Sequence, residues 1–190
     1  MNRETTPLEG ALLLTPRRFG DARGWFAEVW NDRTLEALGI DVAFVQDNHS
    51  FSGPKGTLRG LHYQAPPHAQ TKLVRCSRGA VWDVAVDVRA GSPTFGHWHG
   101  AELSAENGVQ YLIPQGFLHG FVTLTDDAEV QYKCSDYYAP EADGAVMWNS
   151  PSLSIKWPLD GAPILSGKDE VAPDFAAWET PFVTHEQAGP

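Results

Sequence analysis

Residues 57–64, TLRGLHYQ, place Arg59 and His62 inside a run that is otherwise built like a strand. Leu58, Leu61 and Tyr63 favour a pleated surface, and GPKG at 53–56 reads as a tight turn in front of it. A histidine titrates near neutrality, so it can take or give a proton, while an arginine offers a fixed, forked positive charge. In strict alternation Leu58, Gly60, His62 and Gln64 share one face and Arg59 falls on the other. Both side chains reach one cavity only if the strand bulges near Gly60. A second cluster, HWHGAE at 97–102, sets His97, His99 and Glu102 at a spacing that resembles metal ligands. Without a fourth ligand, and directly after GSPTFG, it reads instead as a solvent-facing loop or strand edge.

Alternation dominates the segments that must position these groups. WFAEVW at 25–30, AVWDVAVDVR at 80–89 and AEVQYKCSDYY at 128–138 run at period two, separated by turns such as DARG, GPKG, SRG and TDDAE. In 80–89, Trp82, Val84, Val86 and Val88 share one face, with Asp83 and Asp87 on the other beside Val81 and Ala85. An acidic second face looks at solvent or into a polar cavity, and Asp83 is a candidate partner for His62. In 128–138, Tyr132 and Tyr138 fall on one face with Val130, Cys134 and Asp136. One short helix is expected at 32–38, capped by Asn31 or Asp32 and closed by Gly39. Many short strands with Gly/Pro turns predict an all-β sandwich or jelly roll with a few short helices. The whole of 1–190 reads as a single domain: arm strands over about 1–30, and from about 150 to 190 a Pro-rich segment wrapped on the barrel.

With 190 residues and a net charge of −10, the chain lacks the basic footprint that nucleic acid requires, although a local Arg/Lys pocket for one phosphate compound remains open. Cys76 and Cys134 lie in apolar strand-like runs without CxxC spacing and read as free, buried thiols of a reducing compartment. The ALLL run at 11–14 is too short for a signal core or a membrane span, so no membrane association and a cytoplasmic location are expected.

GTLRGLHYQ together with GVQYLIPQGFLHGFVT resembles the paired signatures of the cupin superfamily, a double-stranded β-helix or jelly roll. The second fits at Gly108, Pro114, Gly116 and His119; the first fits only at Gly56 and His62. Metal-binding cupins carry HxH and a following Glu, and here Gln64 replaces the second His and no Glu follows. Half the ligands of a divalent metal are therefore missing, and neither a metal nor any other cofactor is expected.

Beyond the superfamily, the chain resembles the dTDP-4-dehydrorhamnose 3,5-epimerase family of metal-free cupins. The resemblance rests on FGDARGWFAE (19–28), FVQDNHS (44–50), LRGLHYQ (58–64), KLVRC (72–76), VWDVAVDVR (81–89), GSPTFG (91–96), LSAEN (103–107), IPQGFLHGFVTL (113–124), YKCSDYY (132–138), WNSP (148–151) and LSGKD (165–169). It implies epimerisation at C3 and C5 of dTDP-4-dehydro-6-deoxy-D-glucose, giving dTDP-4-dehydro-L-rhamnose on the way to dTDP-L-rhamnose.

By the same resemblance His62 is the base, oriented by Asp169. Lys72 lies near the C4 oxygen, where a fixed positive charge favours an enolate, and Tyr132 is the acid of the opposite face. Arg59 and Lys168 stand near the pyrophosphate, and His119 beside the sugar. Gln46 and Asn48 make the QDN contacts, Tyr138 stacks on thymine, and Arg23 and Glu28 belong to an arm that reaches the nucleotide across a homodimer. Asp143 stands where relatives often have Glu, which puts that contact in doubt. Standing alone, each of these residues is more often structural than catalytic; their coincidence in family order reverses the odds. A single-centre epimerase is the nearest alternative, favoured by loss of the tyrosine, and Tyr132 is present. A non-catalytic nucleotide-sugar binder would have lost one of His62, Lys72, Tyr132 or Asp169.

Overall fold

A computed structural model describes residues 1–183; the last seven positions of the wrapping segment expected over 150–190 lie outside the described residues. Strands form where alternation is most regular. In chain order they are β1 (Asn2–Thr5), β2 (Leu12–Thr15), β3 (Phe19–Asp21), β4 (Gly24–Phe26), β5 (Gln46–Ser52), β6 (Leu58–Gln64), β7 (Lys72–Arg78), β8 (Ala80–Asp87), β9 (Trp98–Ser104), β10 (Gln110–Ile113), β11 (Phe117–Thr123), β12 (Ala128–Cys134) and β13 (Asp143–Ala145). Among the described residues, two short helices, α1 (Asp32–Ala37) and α2 (Gly167–Glu170), and one 3-10 turn at Phe175–Ala177 are added. Asn31 caps α1 by accepting from the Thr34 amide, as expected. No helix among the described residues is long and apolar enough to cross a membrane.

The strands form two antiparallel sheets, β1-β2-β10-β7-β12-β5 and β13-β6-β11-β8-β9, with β3-β4 as a separate hairpin. The expected jelly-roll layering thus holds. The faces that meet between the sheets carry Val74, Val81, Ala85, Leu103, Tyr111 and Phe121. The outer face of the smaller sheet buries Val84, Val86 and Val88 under the C-terminal segment, where Leu153 and Phe182 pack. Both sides of β8 are therefore covered, and its acidic side faces inward: Asp83 and Asp87 are 0% exposed. Leu35 of α1 seals the outer face of the larger sheet against Leu14, Leu73 and Leu112. Burying one apolar stripe per element is what this layering achieves.

Three strand expectations need correction. WFAEVW does not continue as a strand: β4 stops at Phe26, and Glu28 instead accepts hydrogen bonds from Asn31 Nδ2 (3.0 Å) and Thr34 Oγ1 (3.2 Å) at the start of α1. The run at 80–89 leaves the ladder after Asp87, whose carboxylate turns the chain back by accepting from the Arg89 amide. The run at 128–138 ends at Cys134, so Tyr138 does not share a strand face with Tyr132.

The bulge expected at Gly60 is present. His119 of β11 stands opposite His62 and Phe121 opposite Arg59, so two residues of β6 face one of β11. Gly60 has φ +125°, and a Cβ there would stand 2.6 Å from the Gly120 Cα, so only glycine fits between the strands.

Candidate active site

A cavity of about 390 Å³ opens between the sheets, and Arg59, His62, Lys72, His119, Tyr132 and Asp169 line it. The bulge brings Arg59 and His62 to the same space. Arg59 is not buried as a core strand residue; it stands exposed at the mouth, held by Ser52 Oγ (3.2 Å) and the Phe51 carbonyl (3.1 Å). Ser50, Phe121, Ile164 and Ser166 also line the cavity and were not singled out from the sequence.

His62 Nε2 lies 2.5 Å from Asp169 Oδ1. An ionised carboxylate only accepts, so the neutral imidazole carries its proton on Nε2 and its lone pair on Nδ1. The imidazole is 31% exposed and the carboxylate 2%. Burial pushes the Asp169 carboxyl up, but the hydrogen bond and charge of His62, the Ser166 hydroxyl and the Gly60 amide together hold it below its ordinary value. Ser166 supports it twice: its hydroxyl donates to Asp169 Oδ2 (2.9 Å) and accepts from the Asp169 amide (3.3 Å). The SGKD stretch has the Ser-x-x-acid spacing of a helix cap, a signal that could have pointed to Ser166.

Asp83 is not a partner of His62. The β8–β11 register pairs Asp83 with Phe121 and His119 with Ala85, so His119 reaches Asp83 diagonally: its Nε2 lies 3.0 and 2.9 Å from the two carboxylate oxygens, with both side chains nearly inaccessible. Burial pushes the Asp83 carboxyl up, opposed by the charges of His119 and Lys72.

Lys72 and Tyr132 come from the opposite wall, on neighbouring strands β7 and β12, with the ammonium 6.0 Å from the Tyr132 ring centre. Burial lowers the Lys72 pKa against the pull of Cys134, Asp143 and Asp83, and burial raises that of the Tyr132 phenol. The phenol is therefore protonated at neutral pH, a donor rather than an acceptor of protons. The site thus sets a carboxylate-backed imidazole on one sheet and an ammonium and a phenol on the other. That arrangement suits removing a carbon-bound proton on one face of a substrate and returning one on the other.

The model of the dTDP-4-dehydrorhamnose 3,5-epimerase family matches residues 5–177. The chain belongs to this family. It is 56% identical over 166 residues to the dTDP-4-dehydrorhamnose 3,5-epimerase of Pseudomonas aeruginosa, covering 87% of this chain and 91% of that one. The corresponding protein of Salmonella typhimurium is 53% identical over 169 residues, 88% of this chain and 92% of its own. Among solved structures, that of dTDP-6-deoxy-D-glucose-3,5-epimerase from Legionella pneumophila in complex with dTDP-4-keto-L-rhamnose superposes with a TM-score of 0.90 at 46% identity, covering 94% of each chain. The fold is the cupin-type jelly roll of these epimerases.

Other residues to which the family resemblance gave a role lie outside the cavity lining. Gln46 and Asn48 project from β5, where Gln46 Nε2 donates to Asn48 Oδ1 (3.1 Å) and Asn48 Nδ2 to Cys134 Sγ (3.6 Å). Tyr138, Asp143 and Lys168 form a chain beside the mouth: the Tyr138 hydroxyl donates to Asp143 Oδ2 (3.4 Å), which also pairs with the Lys168 ammonium. The shorter carboxylate at 143 thus joins the two residues beside it. Arg23 stands on the β3–β4 hairpin, 90% exposed and paired with Asp21, and Glu28 is committed to the α1 terminus, so neither reaches the cavity of its own chain. Of the HWHGAE cluster, His97 and Glu102 are exposed, while His99 on the edge strand β9 bonds Tyr111 (3.0 Å). No group of three or more His, Cys, Asp or Glu among the described residues could hold a metal ion. Both cysteines are free and buried.

Proposed function

We propose that the chain inverts C3 and C5 of dTDP-4-dehydro-6-deoxy-D-glucose, giving dTDP-4-dehydro-L-rhamnose for dTDP-L-rhamnose biosynthesis, a cytoplasmic step. The observation that carries this reading is the His62–Asp169 pair facing Lys72 and Tyr132 across one cavity. Both centres lie next to the C4 ketone, so their protons are acidified by the same carbonyl. His62 removes the proton from one face, and Asp169 stabilises the imidazolium that forms. The electron pair of the broken C–H bond moves onto the C4 oxygen, where Lys72 stabilises the enolate. Tyr132 returns a proton to the carbon from the opposite face, and the ketone re-forms with that centre inverted. No cofactor enters these steps.

In this reading Arg59 and Lys168 bind the pyrophosphate, His119 contacts the sugar, Gln46 and Asn48 contact the nucleotide side, and Tyr138 stacks on the base beside Asp143. The exposed hairpin with Trp25 (58%) and Phe26 (69%) supports a homodimer in which the N-terminal arm crosses over and brings Arg23 and Glu28 to the partner's nucleotide. The chain then works as one unit, with the arm and the wrapping segment as extensions of the same barrel. The test is turnover of dTDP-4-dehydro-6-deoxy-D-glucose in D₂O. Deuterium at both C3 and C5 of an inverted product is expected; label and inversion at one centre alone would make the enzyme a single-centre epimerase.

A further inference from the structure

At the position where metal-binding cupins carry their second histidine, this chain carries Gln64, 5% exposed. Its amide does not enter the cavity. The Nε2 group donates to the Tyr137 carbonyl (2.9 Å) and to the His68 carbonyl, and Oε1 accepts from the Ala139 amide (2.9 Å). Those bonds grip the backbone on both sides of Tyr138. The Tyr138 amide itself donates to Gln46 Oε1 (2.9 Å), and the Tyr137 amide to Asp136 Oδ1 (2.8 Å). Because β12 ends at Cys134, residues 136–139 have no ladder of their own, and side-chain amides replace it. Asp143, which receives the Tyr138 hydroxyl, is the register partner of Gln64 across β13 and β6.

We infer that Gln64 is a positioning residue for the nucleobase: it fixes the segment that presents the half-exposed Tyr138 ring as a stacking platform, two residues along the same strand from His62. The inference rests on the reading of Tyr138 as the base-stacking residue. A ring fixed before binding loses less freedom when a base settles on it, so the platform contributes to the nucleoside end of the ligand and not to its phosphates.

The experiment measures, on the full-length protein by calorimetry, binding of dTDP, which has a base, and of inorganic pyrophosphate, which has none. Gln64→Leu is expected to weaken dTDP about tenfold, within the range of losing one aromatic–base stack, and to leave pyrophosphate unchanged. With the dTDP-sugar substrate, the loss should appear in KM rather than in kcat. In a Tyr138→Ala background Gln64→Leu should add nothing, because both changes remove one platform. Equal weakening of dTDP and pyrophosphate, or a full additional loss in that background, would overturn the inference. If Tyr138→Ala alone leaves dTDP affinity intact, the stacking reading itself fails; if it weakens dTDP while Gln64→Leu does not, only the role of Gln64 fails. Should Gln64→Leu not fold, Gln64→Glu decides: it keeps the acceptor for Ala139 and loses both donors, so unchanged dTDP affinity in that variant would sink the proposal.

Discussion

Two histidines on adjacent strands of one sheet, His62 on β6 and His119 on β11, line this cavity, each paired with an aspartate, and the two pairs differ in access. His62–Asp169 joins a strand to a one-turn helix at the mouth, with the imidazole 31% exposed; His119–Asp83 lies within the sheet, 9% and 0% exposed. At the mouth, Asp169 has a hydroxyl, an amide and an imidazole as partners, and these overcome burial to keep its pKa low. Deeper in, burial dominates Asp83 and pushes its pKa up although it faces a histidine and lies near Lys72. A carboxylate that stays ionised can stabilise a charge arriving on its histidine; one strained toward neutrality serves better to hold a ring in place. Under the proposed function, the same residue pair is then a proton-transfer device at one depth and a structural tie at another.

The contrast breaks if the two pairs respond alike to substitution. His62→Ala should lower epimerisation and α-proton exchange in D₂O by roughly 10²–10⁴-fold, the range for losing a general base. Its cost in stability should stay below about 1 kcal/mol, because Asp169 keeps Ser166 and Gly60 as partners. Tyr132→Phe, on the opposite wall, provides the complementary reading: exchange should survive while inverted product falls away, since the base still forms the enolate. Fast exchange in His62→Ala, or full inversion in Tyr132→Phe, would show that base and acid are misassigned.

Asp83→Ala should behave in the reverse sense. It leaves a nearly inaccessible imidazole without its acceptor, so chemical denaturation should report a loss of about 1–3 kcal/mol. Exchange should fall far less than in His62→Ala once folded protein is compared at equal concentration. Abolished exchange with unchanged stability would make the inner pair a second catalytic pair and remove the distinction by depth.

The outer pair was legible in the sequence and the inner one was not, for a physical reason. Strand parity put Asp83 on the acidic face of β8, leaving solvent or a polar cavity open, and a glycine between an arginine and a histidine pointed to the bulge, because both are local properties of the backbone. Asp169 came from the family resemblance of LSGKD rather than from spacing. The partner of Asp83 depends on which residue of a strand more than thirty positions away lies diagonally across the sheet, and that register has no local signature. Tyr138 shows the opposite limit: period two continues through SDYY, but amides from β5 and β6 pull the chain out of the ladder after Cys134. The composition of the arm suggested a longer strand than β4 because the capping needs of α1, which draw Glu28 away, are invisible to alternation.

The smallest expected effect uses a third carboxylate as reference. Asp87 lies four residues beyond Asp83 on the same face of β8 and is equally buried, yet its pKa moves the other way. Burial pushes it up, but the Arg89 guanidinium (2.7 Å), the Ser92 and Thr94 hydroxyls (2.6 Å each) and the Arg89 amide bring it down to about 2. A carboxyl whose folded pKa lies below its ordinary 3.8 adds stability that is fully present above that value and is lost as the pH falls through the folded pKa. At 1.36 kcal/mol per unit, the shift corresponds to about 2 kcal/mol at neutral pH. Asp87→Asn should therefore be less stable than the parent by about 1–2 kcal/mol at pH 7, since the amide keeps one acceptor oxygen, with the difference shrinking between about pH 4 and pH 2. Asp83→Asn should show no such acid-side convergence, because the folded pKa of Asp83 is raised and its protonation favours the folded state as the pH falls. Denaturation curves of both variants from pH 7 downward make the comparison. Parallel pH profiles for the two would mean that depth alone, and not the partner, decides the charge of a buried carboxylate on this strand.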